Sequence, residues 1–121
     1  MTFDNTSDII DSRDVIERIE DLEFYFSEVS EGESDYDDNS YELGILTVLA
    51  KQGSDYAEDW IYGEQLIRGT YFTEYTKEMC EDVYSIPDTW PHRCIDWEEA
   101  AEQLKEDYTA VDFNGVEYWI R

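Results

Sequence analysis

The sequence predicts an α+β protein that is mainly helical, with about four helices and a C-terminal antiparallel β-hairpin. Two observations carry this prediction. Apolar residues recur at helical spacing in four segments. In addition, Asn114-Gly115 joins two short runs that are rich in β-branched and aromatic residues. Asn-Gly is typical of a two-residue hairpin turn, because both central residues of a type I′ turn need a positive φ.

The best specified unit is Ile95–Arg121, which predicts a capped helix followed by the hairpin. Asp96 suits the N-cap position, and Glu99 three residues later completes a capping box. Two strands alone are marginally stable, so we expect the hairpin to pack on the preceding helix or to join another strand. The two strands are expected at Tyr108–Phe113 and Val116–Ile120.

Three helices are expected before this unit, separated by segments rich in turn-forming residues. Ser30–Ser40 holds many acids and no aliphatic residue, so it predicts an exposed acidic linker. Gly53 is placed as the C′ residue of the second helix. The segment Ser54–Ile67 is ambiguous, and IYGEQLI reads as irregular or briefly extended. The helices are expected at about Ser12–Val29, Tyr41–Gln52 and Tyr71–Val83.

These elements predict two parts. Residues 1–40 form an N-terminal helix with the acidic linker, and residues 41–121 form a helical domain that ends in the helix–hairpin unit. The chain is 41% hydrophobic and 16% aromatic, which favours a folded protein despite its charge.

Charge is the second dominant feature. Eight Lys and Arg residues against 32 Asp and Glu residues give a formal net charge of −24. A net charge of about 2–8 in magnitude is sufficient for the solubility of a small domain, so the excess indicates a use. Such a protein is not expected to bind nucleic acid or an anionic membrane. Its natural partner is a strongly basic surface, and many basic surfaces hold nucleic acid.

The charge also has the right magnitude to imitate a duplex. Duplex DNA carries one charge per ~1.7 Å of its axis, so a charge of −24 matches roughly 40 Å of duplex. A domain of this length has a radius of gyration of about 14 Å, which makes its long dimension comparable. Two predicted helices carry acids at i, i+4 and i+8, and their carboxylates step roughly 6 Å apart along the helix.

These acids and those around the linker form the predicted partner-binding set. Like charges at this spacing cost a helix about 0.2–0.5 kcal/mol per pair, although acids are common enough here for rows to arise by chance. The set consists of Glu31, Glu33, Asp35, Asp37, Asp38, Glu42, Glu58, Asp59, Glu74, Glu78, Asp82, Glu98, Glu102 and Glu106.

Catalytic, metal and cofactor sites are not predicted. Asp35, Asp37 and Asn39 match the first, third and fifth positions of a calcium-binding EF-hand loop, but Ser40 and Leu46 stand where Gly and Glu are needed. His92, Cys94 and Cys80 lack the CxxC spacing of a zinc site. No Gly-rich phosphate loop or nucleophile elbow appears. We therefore expect a protein that is not an enzyme and needs no cofactor.

The N-terminal residues carry no basic and apolar signal segment, and no run approaches the ~20 apolar residues of a membrane span. We therefore expect a cytoplasmic protein with reduced thiols. Exposed aromatic residues near Tyr118–Ile120 also allow a homodimer through the edge of the hairpin.

The order of elements in the C-terminal part resembles the C-terminal domain of ArdA-type anti-restriction proteins. The resemblance covers about Tyr71–Arg121. It consists of the acidic helix YFTEYTKEMCEDVYSIP, a Pro-containing loop, the segment IDWEEAAEQLKEDYT and the end VDFNGVEYWIR. The chain is shorter than the usual three-domain member, and residues 1–53 read as helical where the family has a β-containing first domain.

The resemblance implies a DNA mimic of phages and mobile elements that occupies the DNA-binding groove of type I restriction-modification enzymes in the host cytoplasm. Three alternatives stay open. The protein could block the nucleic-acid channel of an RNA-guided CRISPR effector, which is also lined by Lys and Arg. It could be an acidic interaction or chaperone module for basic proteins. It could also be a small structural phage protein whose charge serves solubility only.

Overall fold

The computed structural model describes residues 5–29, 32, 34–87 and 89–121, which form four α-helices and a four-stranded antiparallel sheet. The α+β fold class and the C-terminal hairpin are therefore confirmed. The helices are α1 (Ser12–Glu28), α2 (Tyr36–Tyr56), α3 (Phe72–Tyr84) and α4 (Trp97–Leu104). The strands are β1 (Ile9–Asp11), β2 (Gln65–Arg68), β3 (Thr109–Phe113) and β4 (Val116–Ile120).

The sheet has the order β1-β2-β4-β3, and the helices cover both of its faces. Successive strand residues point to opposite faces. Leu66 accordingly belongs to the larger core with residues of α1 and α2, whereas Ile67 packs with Phe72 and Ala101 of α3 and α4. The molecule thus has three layers, with α1 and α2 on one face and α3 and α4 on the other.

The larger core draws on both ends of the chain. Val15 and Leu22 of α1, Leu46 of α2 and Tyr118 and Ile120 of β4 are all 2% exposed or less. The boundary that the sequence predicted at residue 40 falls inside α2.

The C-terminal unit folds as predicted. The backbone N–H of Glu99 donates to the Asp96 side chain at 3.1 Å, which confirms the N-cap of α4. Asn114 and Gly115 have φ values of 50° and 90°, as a type I′ turn requires. The hairpin joins another strand, because β4 pairs with β2 as well as with β3.

The first two strands were not identified as strands, although the segment IYGEQLI, which overlaps β2, was described as irregular or briefly extended. β1 has three residues and β2 has four, so neither is long enough to show a clear period of two. Leu66 and Ile67 of β2 are adjacent and both buried, because β2 lies between β1 and β4 and is covered on both faces. Alternation of polar and apolar residues is therefore absent from this central strand.

The predicted limits of α2 were wrong at both ends. Tyr36–Ser40 is its first turn rather than a linker, and Asp37 and Asp38 there interact favourably with the helix dipole. Gly53 lies inside the helix rather than after it. A β-carbon at Gly53 would overlap the buried ring of Trp60, so close packing requires this glycine.

Two further expectations about exposure were wrong. Helical spacing with Phe72, Tyr75 and Met79 predicts Val83 on the inner face of α3, but Val83 is 66% exposed, because the helix buries only Phe72 and Thr76 near its start. Tyr118 and Ile120 were expected to be exposed at the edge of the hairpin, but both are fully buried. β4 lies between β2 and β3, so β3 is the edge strand of the hairpin.

Candidate partner-binding surface

The α3 row, which we define as Glu74, Glu78 and Asp82, is exposed along its whole length. It lies away from Phe72 and Thr76, the residues by which α3 packs on the sheet. The hydroxyl of Tyr71 donates a hydrogen bond to Glu78 at 2.8 Å. This bond raises the pKa of the Tyr71 hydroxyl, because ionising it would place a second negative charge beside the carboxylate.

The α4 row, which we define as Glu98, Glu102 and Glu106, is also exposed, although α4 ends at Leu104 and Glu106 lies in the 3₁₀ turn Lys105–Asp107 that follows it. Ala101 holds the opposite side of the helix in the core. The ammonium group of Lys105 lies 3.3 Å from Glu102 and over the rings of Phe72 and Trp119, at 5.4 and 5.0 Å from their centroids. This cation is therefore turned toward aromatic rings. Its side chain is only 19% exposed, so it adds little positive charge to the surface.

The N-terminal end of α4 brings several acids together beside the start of α3. One open depression is lined by Thr73 of α3 together with Asp96, Glu98, Glu99 and Glu102. Asp96 is the N-cap of α4, and Glu98 and Glu99 lie in its first turn, where negative charge stabilises a helix. Local stability thus accounts for part of this cluster.

Local stability does not account for the acids at the other ends of the helices. None of the four α-helices has a basic residue in its last turn. Instead, Glu28 ends α1, and Asp82 lies near the end of α3. An acid at a helix C-terminus interacts unfavourably with the helix dipole, at a cost of about 0.3–1 kcal/mol. The acids near the C-terminal ends of α1 and α3 therefore oppose the stability of these two helices, whereas the first turns of all four α-helices hold acids that favour it.

The predicted acids of the N-terminal half divide into exposed and buried residues. Asp35, Asp37 and Asp38 are exposed at the start of α2, and Glu58 and Asp59 are exposed in the segment after it. They lie beside α1 and α2, on the opposite side of the sheet from the α3 and α4 rows. Glu31 and Glu33 lie outside the described residues.

Glu42 differs from the rest of the predicted set because it is buried, with 6% of its surface exposed. The guanidinium of Arg18 donates to its two carboxylate oxygens at 2.6 and 3.0 Å. The hydrogen bonds from Arg18 to Glu42 raise the pKa of the guanidinium. Through this ion pair Glu42 of α2 connects to α1. Because it is buried and paired, it is not part of the partner-binding surface.

A further acidic face lies on α1 and was not included in the predicted partner-binding set. The exposed residues of α1 include acids at helical spacing along its outer side, with Arg13 as an exposed cation that is paired with Asp11 at 2.7 Å. The same i, i+3 and i, i+4 spacing that singled out α3 and α4 could have found this face. Its acids are Asp14, Glu17, Glu20, Asp21, Glu23 and Glu28.

No group of three metal-ligating side chains occurs within the described part of the chain. The EF-hand-like residues Asp37 and Asn39 lie in a regular helix, which cannot wrap an ion as a calcium loop does. Cys80 is half-buried and Cys94 is exposed, and both are free thiols. Across the described residues, no helix has the length and apolar character that crossing a membrane requires.

Comparison with known proteins gives no assignment: no family model matches the chain, and no curated protein or solved structure shows a significant match.

Proposed function

We propose that this protein is an inhibitor that imitates nucleic acid and is not itself an enzyme. Its exposed carboxylates take the place of phosphates against the basic groove of a DNA- or RNA-binding protein. The observation that carries the proposal is the exposure of two rows of carboxylates, the α3 row and the α4 row, in a chain with a net charge of −24. A surface selected for solubility would not need this arrangement.

The α3 and α4 rows are the centre of the proposed interface. Within α3 and α4 these acids step along the helix by roughly 6 Å per pair, which follows from a rise of 1.5 Å per residue. Two cations lie beside them: Lys105 is drawn toward the rings of Phe72 and Trp119, and Lys77 lies 4.0 Å from Glu81. A basic groove that approaches this side therefore meets more carboxylates than cations.

We propose a host defence enzyme as the target, and type I restriction-modification is our first choice. The resemblance of Tyr71–Arg121 to ArdA-type proteins supports this choice and remains a prediction. An RNA-guided CRISPR effector is the second candidate, because its channel also binds a nucleic-acid backbone through Lys and Arg. Both candidates share the same physical mechanism, and a phage or mobile element would be the source of such a protein.

A competition experiment tests the mechanism. A fluorescent DNA duplex is bound to a type I restriction enzyme, and release of the duplex is followed by anisotropy as the protein is added. We expect full competition, with an affinity that falls steeply between about 50 and 200 mM salt. Simultaneous binding of the duplex and the protein would contradict mimicry. The same titration with an RNA-guided effector distinguishes the two targets.

A matched pair of variants tests the role of the α4 row. Glu98, Glu102 and Glu106→Gln removes three charges from this row, and Glu17, Glu20 and Glu23→Gln removes three charges from α1. We expect the α4 variant to lose more affinity and to reduce the salt slope by about 1 for each lost contact. Circular dichroism of both variants checks that a loss of affinity is not a loss of folding. Equal losses would favour a nonspecific acidic module.

A further inference from the structure

An apolar groove lies on the side of the sheet away from the α3 and α4 rows. The groove is formed by α2 and by the turn end of the hairpin, and its volume is about 380 Å³. Tyr41 is 66% exposed and Val48 is 59% exposed, although both are large apolar residues. The groove is lined by Ser40, Tyr41, Gly44, Ile45, Val48, Asp112 and Asn114.

Gly44 in the middle of α2 is the residue that keeps this groove open. Glycine in a helix interior costs about 1 kcal/mol relative to alanine. Nothing among the described residues lies within 4 Å of a β-carbon placed at Gly44, and its φ is not positive. Gly53 of the same helix is different, because the ring of Trp60 fills the space beside it. Packing within the described fold therefore explains Gly53 and leaves Gly44 without a reason.

The walls of the groove are held in position by Gln52. Its side-chain amide donates to the backbone carbonyl of Asp112 at 3.0 Å and accepts from the backbone N–H of the same residue at 3.0 Å. These bonds connect α2 to β3. The Asp112 carboxylate in turn accepts hydrogen bonds from the backbone of Gly115, at 3.1 and 3.3 Å. The groove is thus built from connected elements and is not a gap between loose segments.

The charges around the groove indicate what it accepts. Asp112 lines the groove, and Asp37 is exposed one turn before Tyr41 on α2. Lys51, one turn beyond Val48, is exposed and lies 3.5 Å from Asp55. The groove thus lies beside acids, on a protein with a net charge of −24, which favours an occupant that combines an apolar group with positive charge.

We propose that this groove binds an apolar side chain from a segment of a protein partner that also carries Lys or Arg residues. The apolar side chain lies over Gly44, between Tyr41 and Val48, and the basic residues face Asp112 and Asp37. This surface is distinct from the acid rows and does not depend on nucleic-acid mimicry. Burial of the apolar side chain adds a contribution that salt does not weaken, because apolar burial is not screened, whereas salt does weaken the contacts of the basic residues.

A titration with two synthetic peptides tests the proposal. One is an amphipathic helix of Leu and Lys, and the other has Ser in place of every Leu, so both have the same charge. Backbone amides of the isotope-labelled protein are followed by NMR. We expect the Leu peptide to bind about tenfold more tightly or better, with saturable shifts at Gly44, Val48 and Asn114. Equal affinity of the two peptides would overturn the proposal.

Two substitutions on α2 separate the groove from the fold. Gly44→Gln fills the groove with a good helix former and should raise the melting temperature while weakening the Leu peptide about tenfold or more. Ser54→Gln is the control, because Ser54 is exposed on the same helix outside the groove. We expect it to leave binding unchanged. Undiminished binding by the Gly44→Gln variant would overturn the proposal.

Other occupants give different outcomes. If a second copy fills the groove, sedimentation shows a dimer that the Gly44→Gln substitution dissociates. If the chain covers the groove itself, Phe3→Ala shifts the Gly44 amide in the free protein. Phe3 is the residue to substitute because it is an apolar residue two positions before Asn5. Asn5 donates hydrogen bonds to the carbonyls of Phe113 and Asn114, beside the groove, at 3.2 and 3.3 Å. Either result overturns the proposal of a basic partner.

Discussion

At the scale of single residues, the ion pair between Arg18 and Glu42 connects α1 to α2 in a molecule whose acids are mostly exposed. The two side chains are 20% and 7% exposed, and both carboxylate oxygens are engaged. Removal of one member of a buried pair leaves the other without compensation in a poorly solvated position. Glu42 therefore has a structural role that exposed acids of the same type lack.

This pair gives the first prediction. Glu42→Gln should lower the free energy of unfolding by about 3 kcal/mol, because Arg18 loses its carboxylate partner. Glu17→Gln, on the exposed side of α1, serves as the control and should change stability by less than about 0.5 kcal/mol. Urea unfolding at neutral pH measures both. A variant with Arg18→Met and Glu42→Leu should regain most of the loss, and equal stability of all four proteins would contradict this role.

The second prediction concerns Asp11, the N-cap of α1. Its carboxylate accepts hydrogen bonds from the backbone N–H of Arg13 at 2.9 Å and from the Arg13 side chain at 3.2 and 2.7 Å. The hydrogen bonds from Arg13 hold the pKa of Asp11 below its usual value. A lowered folded-state pKa means that the unfolded chain binds the proton more readily. The contribution of Asp11 is thus present above the unfolded pKa of about 4 and is lost as pH falls below it.

Asp11→Ala should accordingly cost about 1 kcal/mol at neutral pH, as expected for loss of an N-cap. The difference from the unsubstituted protein should shrink as pH falls from about 5 to about 3. Chemical unfolding at a series of pH values measures this difference. A gap that stays constant over this range would show that ionisation of Asp11 makes no contribution.

At the scale of elements, the sequence was sufficient where the determining contacts are local. The N-cap of α4 and the Asn114-Gly115 turn depend on residues three or fewer positions apart, and both are present as predicted. β1 and β2 depend on pairing between distant residues such as Ile9 and Ile67, for which a strand of three or four residues gives no periodic signal. The early start of α2 was missed because acids that suit a loop also suit the first turn of a helix.

The candidate surfaces divide in the same way. The α3 and α4 rows follow from spacing within one helix, so their exposure could be predicted. The groove at Gly44 could not, because it depends on a contact between Gln52 and Asp112 that spans 60 positions. Glu42 was misassigned to the surface because its partner Arg18 lies 24 positions away.

Gln52 gives the third prediction, which concerns β3 as an edge strand. The outward backbone groups of Asp112 are bonded to the Gln52 amide, which occupies the place of a neighbouring strand. Gln52→Ala should cost about 1–2 kcal/mol and should accelerate hydrogen exchange at the Asp112 amide. Gln103→Ala is the control, because the Gln103 side chain bonds only to the exposed Glu99 in the described structure. Unchanged exchange at Asp112 would contradict this role of Gln52.

At the scale of the whole molecule, the fold tolerates strong self-repulsion. A net charge of −24 opposes a compact state, and acids near the ends of α1 and α3 add to the cost. The three-layer arrangement buries β2 and β4 under helices on both faces, so the core is shielded while the acids lie outside. Because helices cover the sheet on both faces, burial of the core does not depend on the exposed acids.

This balance predicts that stability rises with salt. The Debye length falls from about 30 Å at 0.01 M to about 8 Å at 0.15 M ionic strength, which screens repulsion between distant carboxylates. The melting temperature should increase over this range by roughly 4 °C or more, which corresponds to about 1 kcal/mol for a domain of this size. The melting temperature of the variant with Glu98, Glu102 and Glu106→Gln should respond less to salt, because fewer repulsions remain.

Calorimetry in sodium chloride, with a neutral osmolyte at equal osmolality as the control, measures this response. The sign matters for function, because the same salt that stabilises the free protein should weaken its complex with a basic partner. Salt should therefore raise the stability of the free protein and lower its affinity for the partner. These opposite effects would mean that either counterions or the cations of the partner relieve the repulsion between the carboxylates. A melting temperature that does not change with salt would instead show that repulsion is not a cost of this fold, and that the partner gains nothing by relieving it.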